Sequence, residues 1–477
     1  MPVRSLPLTV ALGVLVLAAP PRICSQSPPQ TGGTLSVTTS SPEAKAAFLA
    51  GLDDIENIHF QRGAQQLQRA LSLDPNLGIA RVAYGLFAPG LSNEQRDQEI
   101  NRGVADAANA STGEMLLALA WRARAPDRLQ ERRVLLRAAA ELMPGDRCLA
   151  YYAANAEPDI RQRVRALEEV TRRFPDYGPP YNQIAYARLN LGDRAGALTA
   201  AEQQVKVLPR HPNSHDSYAE ILQMSGRLDE ATQHYQHAMG LDADYIAAHT
   251  GLAEVALLKG DGATARTHYE HAIQKETVPQ TRLGYRQAIA LTHLNEGNLK
   301  AAVAEFTAVA EEAARNSFTG VAAAAYRALA VIEAGLGDKN TPHGHLARAA
   351  ELGGADAPVQ HAFAAVTHAL LGHMDPARTA AAKYAEGANA PNAAPALVRN
   401  IHSVNGVVAA AEGNTARALE ESREAGPAGA LAKALVAEAL KKGGKGAEAQ
   451  AMASEVMGYY QVDLFTIIAK QRAKKIS

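Results

Sequence analysis

Tryptophan occurs once, at Trp121, and aromatic residues make up only 5% of the 477 residues. That supply is low for a β-sandwich, a barrel or an aromatic-lined sugar site. Cysteine is nearly absent, and Cys24 with Cys148 cannot build a disulfide framework or a cysteine-rich metal site. Neither charge is in excess: 48 Lys+Arg stand against 49 Asp+Glu, so the whole chain offers no electrostatic capture of nucleic acid or of an anionic membrane. Beyond the first 25 residues no segment is expected to approach the length of a transmembrane helix, and no integral span is predicted. Catalytic signatures are missing as well. Gly443-Gly444-Lys445-Gly446 lacks the hydroxyl that a phosphate loop needs for magnesium. The chain has no His-Glu-x-x-His helix, no Gly-x-Ser-x-Gly elbow, no Cys-x-x-Cys and no calcium loop. The expectation is a non-enzymatic protein with no cofactor.

What is present begins with an apolar run, Leu6 to Ala19, which follows Arg4 and ends in small residues and prolines. This is the layout of a secretory signal peptide, too short to span a bilayer as a helix. Residues 1–25 are therefore read as a signal peptide for export across a bacterial inner membrane, giving a periplasmic or secreted chain that starts near Ser25 or Gln26. Cys24 raises the question of a lipid anchor, but Pro21, Arg22 and Ile23 fit the required small-residue box badly. Residues 26–42 are rich in Ser, Thr, Pro and Gly and read as a disordered linker.

The rest of the chain repeats. Gly192, Gly226 and Gly260 lie 34 residues apart, and the same shift carries Ala197 to Ala231 to Ala265, Tyr235 to Tyr269, and Ala238 to Ala272. A glycine that ends one helix and turns into the next explains the first series. Alanines fit where two helices approach closely, and the tyrosines fill the space between. Pro75, Pro144, Pro175 and Pro209 stop the second helix of a unit before the next begins. Weaker copies are marked by Gly297 with Ala302 and Phe306, Gly372 with Ala377, Gly413 with Ala418, and Gly444 with Ala449.

This pattern resembles the tetratricopeptide repeat, a 34-residue helix-turn-helix. The resemblance implies an all-α, right-handed α-solenoid of roughly twelve stacked hairpins. Degenerate hairpins are expected over 43–177 and clear repeats over 178–458. Residues 459–477 are read as a C-terminal capping helix with a basic tail, with a membrane-surface helix as the other reading of that amphipathic segment. The resemblance also implies a groove lined by the first helix of each repeat, at positions 5 and 9. Here those are Asn182 and Tyr186, Asp216 and Glu220, Thr250 and Glu254, and Gln287 with Leu291. A polar to acidic groove of this kind suits a polar or basic protein segment, and Glu220 and Glu254 would repel the acidic tails that carboxylate-clamp members of the family hold. The implied function is a protein-protein interaction scaffold of the bacterial cell envelope, peripherally associated with it.

Histidine is plentiful, at 15 residues. His234 and His237 share a helix face, and His268 and His271 repeat them 34 residues later. Two readings stand: a duplicated surface feature, or a metal-binding ladder that would make the protein a ligand or metal sensor. His215 and His249 occupy a packing position of the repeat. Between residues 122 and 173 arginines cluster with interleaved carboxylates, which reads as exposed helix faces with paired charges or as a docking surface for an acidic partner.

Overall fold

The computed structural model describes residues 37–56, 59–125, 128–337, 339–390 and 395–476. The signal peptide, Cys24 and residues 26–36 of the linker lie outside the described residues. All regular structure among the described residues is helical, and the chain divides into two compact units, with the division between Ala248 and His249.

The first unit is six antiparallel hairpins. They are α1 (Pro42–Glu56) with α2 (Phe60–Leu73), α3 (Gly78–Phe87) with α4 (Asn93–Asp106), and α5 (Thr112–Arg122) with α6 (Leu129–Leu142). Then come α7 (Arg147–Asn155) with α8 (Ile160–Arg173), α9 (Gly178–Asn190) with α10 (Arg194–Val207), and α11 (Pro212–Met224) with α12 (Leu228–Leu241). The division falls within α13 (Ile246–Leu258), which is followed by α14 (Gly262–Lys275). The second unit continues with α15 (Pro279–Asn295) and α16 (Leu299–Arg315), α17 (Thr319–Leu336) and α18 (Pro342–Gly353), and α19 (Pro358–Leu371) and α20 (Met374–Ala388). It ends with α21 (Pro395–Ala411) and α22 (Thr415–Ala425), α23 (Ala430–Lys442) and α24 (Gly446–Met457), and a single last helix, α25 (Leu464–Ala473). Each unit is thus a stack of tetratricopeptide-like hairpins, and the all-α expectation holds.

The turn inside each hairpin is made by hydrogen bonds that only a left-handed residue allows. Gly226 has φ +81°, and its counterpart Gly260 has φ +86°. At Gly226 the N–H reaches the Gln223 carbonyl at 2.9 Å, and the Arg227 N–H reaches the Leu222 carbonyl at 2.9 Å. This is the paired closure that satisfies the last carbonyls of α11. The next helix then starts on an acidic or amide cap: Asp261 accepts from the Thr264 N–H at 3.0 Å, and Asn298 from the Ala301 N–H at 3.1 Å.

Packing follows from side-chain size. Ala219, Ala231, Ala238, Ala265 and Ala272 are fully buried, as are Tyr235 and, within 2%, Tyr269. Tyr235 keeps its hydroxyl satisfied by donating to Gln223 Oε1 at 3.1 Å. The weak repeat upstream of residue 178 has a visible cause. The first helices α3, α5 and α7 run 10, 11 and 9 residues, against 13 for α9 and α11. A shorter first helix removes the residues that would keep the repeat in phase.

Two expectations change. Val37 to Thr39, placed in the linker, are ordered against the first hairpins: the Thr38 N–H donates to Glu114 at 3.0 Å, and Thr39 Oγ1 donates to Asp74 at 2.5 Å. Glu114, the N3 residue of α5, draws the strand-like segment in because its carboxylate accepts several donors at a helix start. Secondly, α17 is 18 residues with a mean hydropathy of 1.2, so by length and composition alone it could cross a membrane, contrary to the sequence reading. It packs instead between α16, α18 and α19, and 67% of it is buried, as suits the central helix of a stack.

Two substitutions test this construction. Ala231→Phe places a ring at a fully buried crossing and should cost about 1–3 kcal/mol by chemical denaturation; no change in the unfolding midpoint would show that α11 and α12 do not approach closely there. Ser317, exposed between α16 and α17, holds φ +60° where the other hairpins place glycine. Ser317→Gly should raise stability by about 1 kcal/mol, and a fall would show that its side chain is needed in the turn.

Candidate functional site

In the first unit, Asn182 and Tyr186 on α9 and Asp216 and Glu220 on α11 lie four apart, so each pair shares a helix face. The structure brings these faces together. Tyr186 Oη donates to Glu220 Oε2 at 2.6 Å, a bond that spans one repeat. Burial, and then the Glu220 carboxylate, push the Tyr186 hydroxyl well above its ordinary value, so it remains a donor. Asn182 Nδ2 donates to Gln204 Oε1 on α10 at 3.0 Å, and Asn182 itself is wholly buried. In the second unit, Thr250 and Glu254 on α13 and Gln287 on α15 are also buried. Neither polar atom of the Gln287 amide has a hydrogen-bond partner among the described residues. Of the seven polar residues expected to line a groove, Glu220 alone is partly exposed. The residue types are polar to acidic, but much of their hydrogen-bonding capacity in the first unit is already turned to one another.

The histidines are arranged differently from a ladder of repeated pairs. Each pair on a second helix meets the histidine of the first helix in its own hairpin. His215 Nδ1 lies 3.1 Å from His234 Nδ1, and its Nε2 lies 3.0 Å from the Pro209 carbonyl. The His237 ring covers that of His215, with centroids 4.0 Å apart. One repeat on, His249 Nδ1 lies 3.2 Å from His268 Nδ1, and the His271 ring stacks on His249 at 3.9 Å and 17°. Imidazole lone pairs lie in the ring plane, so a stacked pair directs them side by side and not at a common point. His215 is thus both the packing residue expected and the hydrogen-bonding hub of its group. Burial lowers its pKa to about 4, and burial also lowers those of His234 and His268.

The last helix is more than an end cap. Besides α23 and α24 of the final hairpin, α25 packs on α15 and α17, and Phe465 meets Phe363 of α19 with ring centroids 5.5 Å apart. Gln471 Nε2 donates to the Asn295 carbonyl at 2.5 Å, where α15 ends. Arg472 donates to the Gly335 carbonyl of α17 at 2.7 Å and to Glu438 of α23 at 2.6 Å. Leu464, Ile467, Ile468 and Ala469 are buried. Helix α25 therefore lies across the first helices of the second unit. Amphipathicity alone pointed to a cover over one end, because the distant first helices are invisible in local periodicity.

The arginine-rich region behaves as a paired surface. Arg128 donates to Glu131 at 2.6 Å, Arg188 to Glu168 at 2.6 Å, and Arg133 and Arg137 lie 3.7 and 3.8 Å from Glu157. Between them α6 exposes Val134 and Leu142, at 64% and 61%.

No family model matches the chain, and no curated protein matches it in sequence. Solved structures are similar to it in shape. A thermophilic TPR protein of Thermus thermophilus, TTC0263, is 20% identical with a TM-score of 0.34, covering 38% of this chain and 99% of that one. Cut9–Hcn1 of the APC/C hetero-tetramer is 13% identical with a TM-score of 0.43, covering 82% of this chain and 75% of that one. A tetratricopeptide repeat protein of Parabacteroides merdae is 10% identical with a TM-score of 0.33, covering 56% and 93% respectively.

The buried histidines set a pH dependence. His215 titrates near 6.5 when unfolded and at about 4 in the fold, so between those values the unfolded chain binds a proton that the folded chain refuses. Stability is full above 6.5 and falls as the pH drops through that window. The thermal midpoint should be lower at about pH 4.5 than at about pH 7, and His215→Gln should flatten that slope. An unchanged slope in the variant would remove His215 as its source.

Proposed function

We propose that this chain, built of tetratricopeptide-like hairpins, is a non-catalytic scaffold that binds other proteins on the faces of its first helices. One observation carries the reading: in the second unit those faces already receive a helix, α25, through apolar side chains and donors aimed at the carbonyls of Asn295 and Gly335. That is the helix-in-groove mode of recognition, in which buried apolar anchors give affinity and polar contacts at the edges set register. The corresponding face of the first unit carries Asp216 and Glu220, and its acidic character suits a polar or basic segment.

The place of action is the bacterial cell envelope. Residues 1–25 support export, and the near-neutral charge fits peripheral association through proteins better than through anionic lipid. N-terminal sequencing of protein recovered from the envelope fraction should begin near Ser25 or Gln26. An intact Met1 in cytosol would refute export.

The binding reading is tested by photo-crosslinking in the native host. A crosslinker at Gln183 on α9 should capture a defined partner, and one at the exposed Glu202 on α10 should not. Glu220→Lys should weaken that capture by about tenfold, which is ~1.4 kcal/mol. Tyr186→Phe, which removes the internal bond but keeps the carboxylate, should not. Equal capture from both positions, or none from Gln183, would overturn the assignment of this face.

A further inference from the structure

A third group of histidines lies in the second unit, at positions that share no repeat spacing. His343 stands in the first turn of α18, His368 in the last turn of α19, and His373 caps the start of α20. One nitrogen from each ring lies within 4.8 Å of the other two. The ring centroids of His343 are 5.3 Å from those of both His368 and His373, and those two are 6.2 Å apart. These separations differ from the 4.0 and 3.9 Å face contacts of His215 with His237 and of His249 with His271. Here the rings stand apart around a shared space instead of covering one another.

The backbone fixes two of the three. Gly372, at φ +81°, turns α19 into α20, and the His373 N–H donates to the His368 carbonyl at 2.9 Å. That closure holds two imidazoles five residues apart at one corner of the stack, and the preceding hairpin supplies the third. The turn exists in every hairpin for packing reasons, so only the side chains had to be recruited. His343 and His373 are exposed, whereas His368 is partly buried. His368 Nδ1 is shielded from solvent and has no hydrogen-bond partner among the described residues. A buried polar atom left in that state costs about 1–3 kcal/mol. The charges that act on His368 are its own neighbours, His343 and His373, and burial and both of them favour its neutral form. Three neutral imidazoles close together are mutually repulsive once protonated and jointly attractive to a cation.

We propose that His343, His368 and His373 bind one divalent transition-metal ion of the class that prefers imidazole, such as zinc, nickel or cobalt. Three nitrogen donors and no thiolate or carboxylate favour these ions over magnesium or calcium. A zinc–nitrogen bond is about 2.0–2.1 Å, so the nitrogens must draw nearer than 4.8 Å. The exposed rings of His343 and His373 can do this by rotation about their side-chain torsions, while His368 stays anchored. Three protein donors leave at least one position for water or an external ligand. The ion would also tie α18 to the α19–α20 turn, joining two successive hairpins.

The test uses the full chain carrying no histidine tag, stripped with a chelator and titrated with zinc chloride alone by calorimetry. Cobalt chloride is followed in parallel by visible absorption. The expected result is one ion per chain, a raised thermal midpoint with zinc, and a cobalt spectrum of low-symmetry nitrogen coordination. His343→Ala and His373→Ala, both at exposed positions, should each weaken binding by about tenfold or more, and His368→Ala should abolish it. His234→Ala with His237→Ala should leave it unchanged. Because the first two variants leave the core untouched, the result does not depend on the folding of His368→Ala. No stoichiometric ion on the wild-type chain, or wild-type affinity in both His343→Ala and His373→Ala, overturns the proposal. Loss of zinc in the His234 and His237 variant would move the site to the first unit and overturn it as well.

Discussion

The distance at which two helices may cross governs this molecule. Alanine at Ala219, Ala231, Ala238, Ala265 and Ala272 lets backbones approach until nothing larger fits, and each of these is fully buried. A close crossing demands a short, sharply defined connection, which the left-handed glycines provide while satisfying the carbonyls that end the preceding helix. Once every hairpin is made this way, a first helix is packed by its own partner and by the hairpins on either side. That is why α11 buries residues on nearly all its faces, including Asn213, Ser214, His215, Asp216, Ser217 and Gln223. Polar side chains in such a helix have to be satisfied from within the stack. The bond from Tyr186 to Glu220, and that from Tyr245 to Asn213 at 3.4 Å, are instances.

The sequence states this construction openly where the physics is local. Turn glycines, crossing alanines and filling tyrosines stand at fixed offsets because each answers a requirement set by residues a few positions away. The roughly twelve hairpins were legible for the same reason, and the short first helices α3, α5 and α7 explain where the register faded. Burial of the first-helix face was not legible. Positions 5 and 9 share a helix face, as periodicity says, but how much solvent that face sees depends on residues a full repeat or more away. The role of α25 was hidden for a related reason. Its contacts with Asn295 and Gly335 span more than 130 residues, and amphipathicity shows that a helix needs cover without saying from where.

The histidines separate two meanings that repetition confuses. Copies at a spacing of 34 drew attention to His234, His237, His268 and His271, because a repeated residue looks selected. In the fold, what repeats is a packing arrangement. A histidine from the first helix bonds one imidazole through Nδ1 and lies under another, first at His215 and again at His249. Neutral imidazole serves there because it supplies both a flat apolar face and a donor or acceptor, and burial keeps it neutral.

Convergence, in contrast, needs lone pairs directed at one point, and a strict repeat works against it, since each copy is displaced along the stack with its neighbours. His343, His368 and His373 escape that constraint because they occupy three unequal positions: the start of a second helix, the end of a first helix and a turn. None has a histidine counterpart one repeat away among the other groups, and their spacing of 25 and then 5 residues matches no metal motif. In a protein whose regular positions are committed to packing, departures from the repeat are where chemistry can be placed at least structural cost. Irregular placement of reactive side chains is therefore a stronger pointer to function in such a fold than regular recurrence.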